Sequence, residues 1–329
     1  MISIIEEDKP DKNWNKRLLE SGLGTIYQTT ERAVYVKKTD VPTKFLKFFD
    51  NSGEIIGQLL ITFQPRFHTK GMRNLILKKT PFLNQTICNW AYGPIVFDTE
   101  LYSEIYSTLH SFLKSNNLTV KAWTHPLLPG NPTTLAKHFQ IRKWGTYIIN
   151  LQKDIDELYG NIEKHSGQKN IQRSIKRGVI VEELTENTLV DYIDLLNETR
   201  KEGPADLEYF KYRWKIFQPL GYSGFIARKD GEPVGGLLFS FVNGHIIEIG
   251  VARSKKDTLE KLYSQDLIKW KIIEWGKKNN MKYYDLTGFN PNPISKKEEG
   301  IQKYKRKWGG KAHYYYRILQ KPNIFTKRT

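Results

Sequence analysis

The chain has 329 residues, with 52 Lys and Arg against 35 Asp and Glu and a formal net charge of +17. Its one cysteine, Cys88, excludes an intrachain disulfide, and no apolar run approaches membrane-spanning length. The length accommodates two ordinary domains. The charge excess is +7 over residues 1–150 (19 basic, 12 acidic) and +10 over 151–329 (33 basic, 23 acidic), so it is no detachable tail. Such a field favours polyanions: RNA, anionic headgroups or phosphorylated substrates. A well-solvated lysine-rich surface is the competing reading.

Met1–Asp8 is acidic and carries no apolar segment of signal length, so a cytoplasmic protein is expected, with possible peripheral contact with the inner membrane surface. Phe45–Phe49, the turn Asp50-Asn51-Ser52-Gly53 and Glu54–Leu60 read as strand, turn, strand. Cys88 lies among hydrophobic residues and reads as a core thiol. A helical pattern opens at Leu101-Tyr102-Ser103-Glu104 and ends at Asn116-Asn117; the strand-like run Leu118–Trp123 follows. Trp144–Leu151 is an apolar strand, and the domain boundary is placed within it: 1–150 and 151–329.

The same order then recurs. Gly224–Ala227, the turn Lys229-Asp230-Gly231 and Glu232–Leu238 repeat the first hairpin, and both second strands read E-x-x-G-x-L-L. Val234–Val242 and His245–Ala252 continue a meander through the turn Asn243-Gly244. Leu259, Leu262, Tyr263, Leu267, Trp270 and Ile273 fall at helical spacing, ending at Asn279-Asn280 before the strand-like Met281–Leu286. Two matches in one order argue for a tandem α/β unit.

Two segments concentrate cations. Lys164–Val179 holds five Lys and Arg and no acid; Ile171, Ile175 and Val179 mark a packing face, leaving Lys169, Arg173, Lys176 and Arg177 for phosphate contact or for solvent. Tyr284-Asp285-Leu286-Thr287-Gly288-Phe289 reads as a buried strand. After a polar stretch comes Gly300-Ile301-Gln302-Lys303-Tyr304-Lys305-Arg306-Lys307-Trp308-Gly309-Gly310, which reads as a turn where glycines admit an anionic ligand close to the backbone.

This order resembles Y-D-L-x-G, a spacer, then (F/Y)-K-x-x-(F/W)-G-G of the Fem-type peptidyltransferases. These proteins move an amino acid from aminoacyl-tRNA onto a peptidoglycan precursor peptide. The resemblance implies an α/β fold of two tandem GNAT-like (N-acyltransferase) lobes, the second carrying the catalytic turn. It implies Lys305 as the cation that stabilises the oxyanion of amide formation, with Tyr304, where Phe is commoner, as its packing neighbour. Lys169, Arg173, Lys176, Arg177, Lys303 and Asp285 are substrate-binding candidates. Asp285 would orient the Lys305 turn or satisfy backbone donors. Tyr92–Asp98 resembles the family's R-G-P-V-x-D without its arginine; Asp98 would bind or deprotonate the acceptor amine, or cap the helix that follows.

The partners implied are aminoacyl-tRNA as donor and a phosphorylated or lipid-linked peptide precursor as acceptor, with no cofactor and no metal. No Cys/His cluster, Walker A loop or strand-linked GxGxxG is present. The pyrophosphate loop of acyl-CoA enzymes is replaced by Arg253-Ser254-Lys255-Lys256-Asp257-Thr258. An acyl-CoA or acyl-carrier N-acyltransferase, and a non-catalytic basic RNA- or membrane-surface-binding protein, are the alternatives.

Overall fold

The computed structural model describes residues 2–65, 86–200 and 203–320. They form two compact units, one of residues up to Trp144 with those from Tyr314 on, the other Gly145–His313. The change of unit comes at Gly145. The C-terminal strand counts with the first unit because Arg317, Ile318 and Leu319 pair with Trp123, Ala122 and Lys121.

The first unit contains β1 (Ser3–Glu7), α1 (Trp14–Glu20), α2 (Thr30–Lys37), β2 (Thr43–Phe49), β3 (Ile55–Pro65), β4 (Thr86–Asn89), β5 (Ile95–Val96), α3 (Tyr102–Ser115), β6 (Thr119–Trp123) and α4 (Pro132–His138). Strand β7 (Gln140–Asn150) begins in it and passes into the second unit at Gly145. The second unit continues with α5 (Ile155–Gly160), α6 (Lys169–Lys176), β8 (Val179–Glu183), α7 (Leu189–Thr199), α8 (Leu207–Phe217), β9 (Tyr222–Lys229), β10 (Glu232–Val242) and β11 (His245–Arg253). It closes with α9 (Lys255–Leu259), α10 (Ser264–Lys278), β12 (Tyr283–Phe289) and α11 (Lys296–Arg306), and β13 (Lys311–Gln320) leads back into the first unit. Strand order is β1-β2-β3-β4-β6-β13 in the first unit and β7-β12-β11-β10-β9-β8 in the second.

The two E-x-x-G-x-L-L segments lead into β3 and β10, each the second strand of an antiparallel hairpin. Helices α3 and α10 then end in the same way. Asn116 and Asn279 each donate a side-chain hydrogen bond of 2.8 Å to the carbonyl four residues back, and Asn117 and Asn280 take positive φ. The following strand pairs in parallel in both units, β6 with β4 and β12 with β11. Each helix buries its apolar stripe on the sheet: Ile105, Tyr106, Leu109 and Leu113 in one, Leu267, Ile268, Ile272 and Ile273 in the other. Cys88 is fully buried in the first core, and burial pushes its thiol up to about 12, as fits a packing residue.

Three expectations are corrected. Leu259 is outside the main helix and 80% exposed, because Tyr263 breaks the chain at φ 59° before α10 begins. Ile175 is 56% exposed while Ile171 and Val179 are buried. Helix α6 stops at Lys176 and Gly178 takes φ 72°, so Val179 belongs to a strand and the four-residue spacing does not carry across the break. The stretch Lys303–Arg306 is the last turn of α11 and not a loop.

Candidate active site

A cavity of about 660 Å³ opens in the second unit between α10, β11, α11 and the start of α6. Its wall includes Tyr304 and Lys305 from α11, Glu248 from β11, and Asp266 and Lys269 from α10. Strand β12 positions Lys305. Thr287 adopts φ 60°, and the register of β12 against β7 shifts between Asp285 and Gly288. Asp285 Oδ1 accepts from the Thr287 amide at 2.6 Å and from the Thr146 hydroxyl. The Gly288 carbonyl accepts from Lys305 Nζ at 2.8 Å. The side chain of Lys305 is thereby held at the cavity wall with part of its donor capacity unused. Burial depresses its pKa to about 8, against the opposing pull of Glu248.

Around Lys305 lie three ion pairs. Glu248 and Lys269 pair with both side chains almost fully buried, and Tyr284 Oη donates to the same Glu248 oxygen at 2.6 Å. Asp266 pairs with Lys307, which also donates to the Ser166 carbonyl at 2.8 Å, and Asn170 donates to Asp266 at 3.2 Å. Burial pushes the Asp266 carboxyl above and the Lys307 ammonium below their ordinary values, their mutual attraction working against both shifts. The third pair joins Asp257 to Arg253. Every lining carboxylate is thus matched by its own cation, and Lys297 and Lys305 supply the excess positive charge.

Tyr304 lies with Lys307 Nζ at 4.2 Å and Lys269 Nζ at 5.8 Å from its ring centroid. Burial raises its phenol well above the usual value, so it stays protonated. Its buried Oη has no hydrogen-bond partner among the described residues.

The other expected site residues divide. Lys169, Arg173, Lys176 and Arg177 are exposed on α6 and its C-terminal end. The Arg173 and Arg177 guanidinium groups lie 5.9 and 5.4 Å from the ring of Tyr263, a cavity-lining residue. Lys169 Nζ is 3.3 Å from His165 Nδ1. Lys303 is exposed and walls a second opening of about 580 Å³. Asp285, expected to bind substrate, is fully buried within β12, where its carboxylate accepts from the Thr287 amide, and it is not in the cavity wall. Asp98 is an exposed cap whose carboxylate accepts from the Glu100 amide at 3.0 Å; it is not in the cavity wall, and the capping reading describes it.

The glycines play a different part from the one expected. Gly309 has φ 74° and a Cβ there would lie 2.6 Å from the Asn161 carbonyl oxygen, while one on Gly310 would lie 3.0 Å from that of Ile148. Both serve close packing of the chain. Only Gly300 borders the cavity, with open space where its Cβ would be.

Sequence reasoning missed Glu248, Lys269 and Asp266. The available signal was a charge set within an apolar run: Glu248 between Ile246-Ile247 and Ile249, and Lys269 between Ile268 and Trp270. Among the described residues no group of three or more His, Cys, Asp or Glu is arranged to hold a metal, and no helix is long and apolar enough to cross a membrane.

The fold is of the tandem GNAT-like type. Among solved structures the chain is similar to FemX, with a TM-score of 0.70 and 13% identity over 96% of this chain and 97% of that one. It is also similar to L-PGS from Bacillus licheniformis, with a TM-score of 0.56 and 13% identity over 97% and 94% of the two chains. A tandem GNAT protein from the clavulanic acid biosynthesis pathway gives 0.52 and 11% over 97% of each. Neither a protein-family model nor a curated protein sequence matches the chain. The Fem-type tandem GNAT fold implied by the sequence resemblance is the fold observed; at these identities the likeness is one of fold.

Proposed function

We propose that this protein is an aminoacyltransferase that takes an aminoacyl ester from tRNA and forms an amide on an amine of a phosphorylated or lipid-linked cell-wall peptide precursor. The observation that carries the reading is Lys305, an ammonium of lowered pKa fixed at the wall of a cavity large enough for an aminoacyl group. In the reaction the amine nitrogen attacks the ester carbonyl carbon and a C–N bond forms. The carbonyl oxygen becomes an oxyanion, the C–O bond to the ribose breaks, and the proton lost by the amine ends on the departing hydroxyl. Lys305 meets the oxyanion with the N–H groups that Gly288 leaves unused. Fixed donors of this kind act strongest where charge develops. Tyr304, protonated and without a protein partner among the described residues, is a second donor in the same cavity.

Acyl-CoA is disfavoured as donor by the N-terminus of α10. There Asp257, fully buried, accepts from the Ser264 amide at 2.8 Å, which fills with a carboxylate the position where a helix start would otherwise hold an anion. A single-turnover assay that offers a mixture of charged tRNAs, and separately acyl-CoAs, with a peptide amine as acceptor tests the reading. Transfer from tRNA is expected. Transfer from acyl-CoA without tRNA, and none from tRNA, would replace it with the acyl-CoA N-acyltransferase.

A further inference from the structure

The second opening, about 580 Å³, shares Lys307 with the cavity that holds Lys305. It is walled by Asn161, Glu163, His165, Ser166, Lys303 and Arg306 as well. Its two sides are the short π-helix Lys164–Gln168 and the C-terminal end of α11, and they are bolted together. The Glu163 amide donates to the Lys307 carbonyl at 2.8 Å, and Lys307 Nζ returns a bond of the same length to Ser166. The one acid in the wall is already occupied: Glu163 accepts from the His165 and Ser166 amides and the Ser166 hydroxyl, and these bonds hold its pKa at about 2. Lys303 and Arg306 are exposed and pair with no carboxylate among the described residues. His165 stands at the same wall, its Nδ1 3.3 Å from Lys169 Nζ.

We infer that this opening is a phosphate subsite for the RNA chain of the donor, placing a backbone phosphodiester beside the ester presented to Lys305. A chain is favoured over a lone phosphate because the cations do not stop at the opening. Lys169, which bonds His165, starts α6, and Arg173 and Lys176 follow on the same face at helical spacing. The inference rests on the aminoacyl-tRNA reading.

The test compares Lys303→Ala/Arg306→Ala with the charge-conserving Lys303→Arg/Arg306→Lys. Uncharged tRNA is titrated at several salt concentrations, and transfer from charged tRNA is followed in parallel. The alanine pair should flatten the log–log salt slope by roughly 0.7 per lost contact and raise KM with kcat largely kept. The conservative pair should keep the wild-type slope. An unchanged slope in the alanine pair, with tRNA-dependent transfer intact, removes the subsite and leaves the donor reading standing. Wild-type protein without salt-sensitive tRNA binding removes both. In a third arm with phosphatidylglycerol vesicles, loss of vesicle binding by the alanine pair at an unchanged tRNA slope would assign the opening to lipid phosphate and overturn the RNA assignment.

Discussion

Lys305 concentrates the opposing demands on this site. Its folded pKa of about 8 lies below its ordinary 10.5, so the unfolded chain binds more protons between those values and stability gains from this group as pH rises through that window. Lys305→Met should abolish that pH-dependent gain, read by denaturant unfolding at pH 7 and pH 10. Catalysis runs the other way: an alkaline limb near pH 8 is expected in kcat/KM as the free protein loses this ammonium, and Lys305→Arg should move it out of range because guanidinium stays charged. The buried pair Glu248–Lys269 makes a separate demand. Lys269→Met leaves Glu248 buried without its cation and should cost roughly 3–5 kcal/mol in denaturant unfolding. Lys305 and Tyr304 were legible because they sit in a motif of fixed order. Glu248, Lys269 and Asp266 were not, because their partners come from other elements and only the folded sheet brings them together. Asp98 and Asp285 show the reverse: an acid near a strand reads alike as a group for substrate and as a backbone acceptor until its donors are seen.

At the level of elements, periodicity placed the paired hairpins and the helices α3 and α10, since each buries one stripe on one sheet. It failed where the chain changes conformation within a few residues, at Gly178 after α6 and at Tyr263 before α10. The C-terminal glycines were legible as special, but their reason was not: both meet a carbonyl of a distant strand or loop. Gly309→Ala should destabilise by about 1–3 kcal/mol from backbone strain, with more from the contact to Asn161. Gly300 behaves oppositely. It sits inside α11 with open space at its Cβ, so Gly300→Ala should stabilise by roughly 0.5–1 kcal/mol. Gly300→Leu should fill the cavity and lower transfer without loss of stability; full activity in that variant would show that substrate does not use this wall.

Over the whole molecule, the repeated order of hairpin, helix and strand made the tandem architecture readable from two short matches, although identity to the three solved structures named above is 11–13%. The net charge of +17 was readable as an affinity for polyanions and could not say which. The structure localises part of that charge to α6 and the end of α11, both in the second unit with the cavity. The measurement that bears most directly on Lys305 as the oxyanion donor is single-turnover transfer by the Lys305→Ala protein, with donor binding measured alongside. A rate lower by roughly 100- to 1000-fold is expected, the scale for removing one oxyanion donor, with donor affinity changed far less and folding retained. A variant that transfers at the wild-type rate would contradict it.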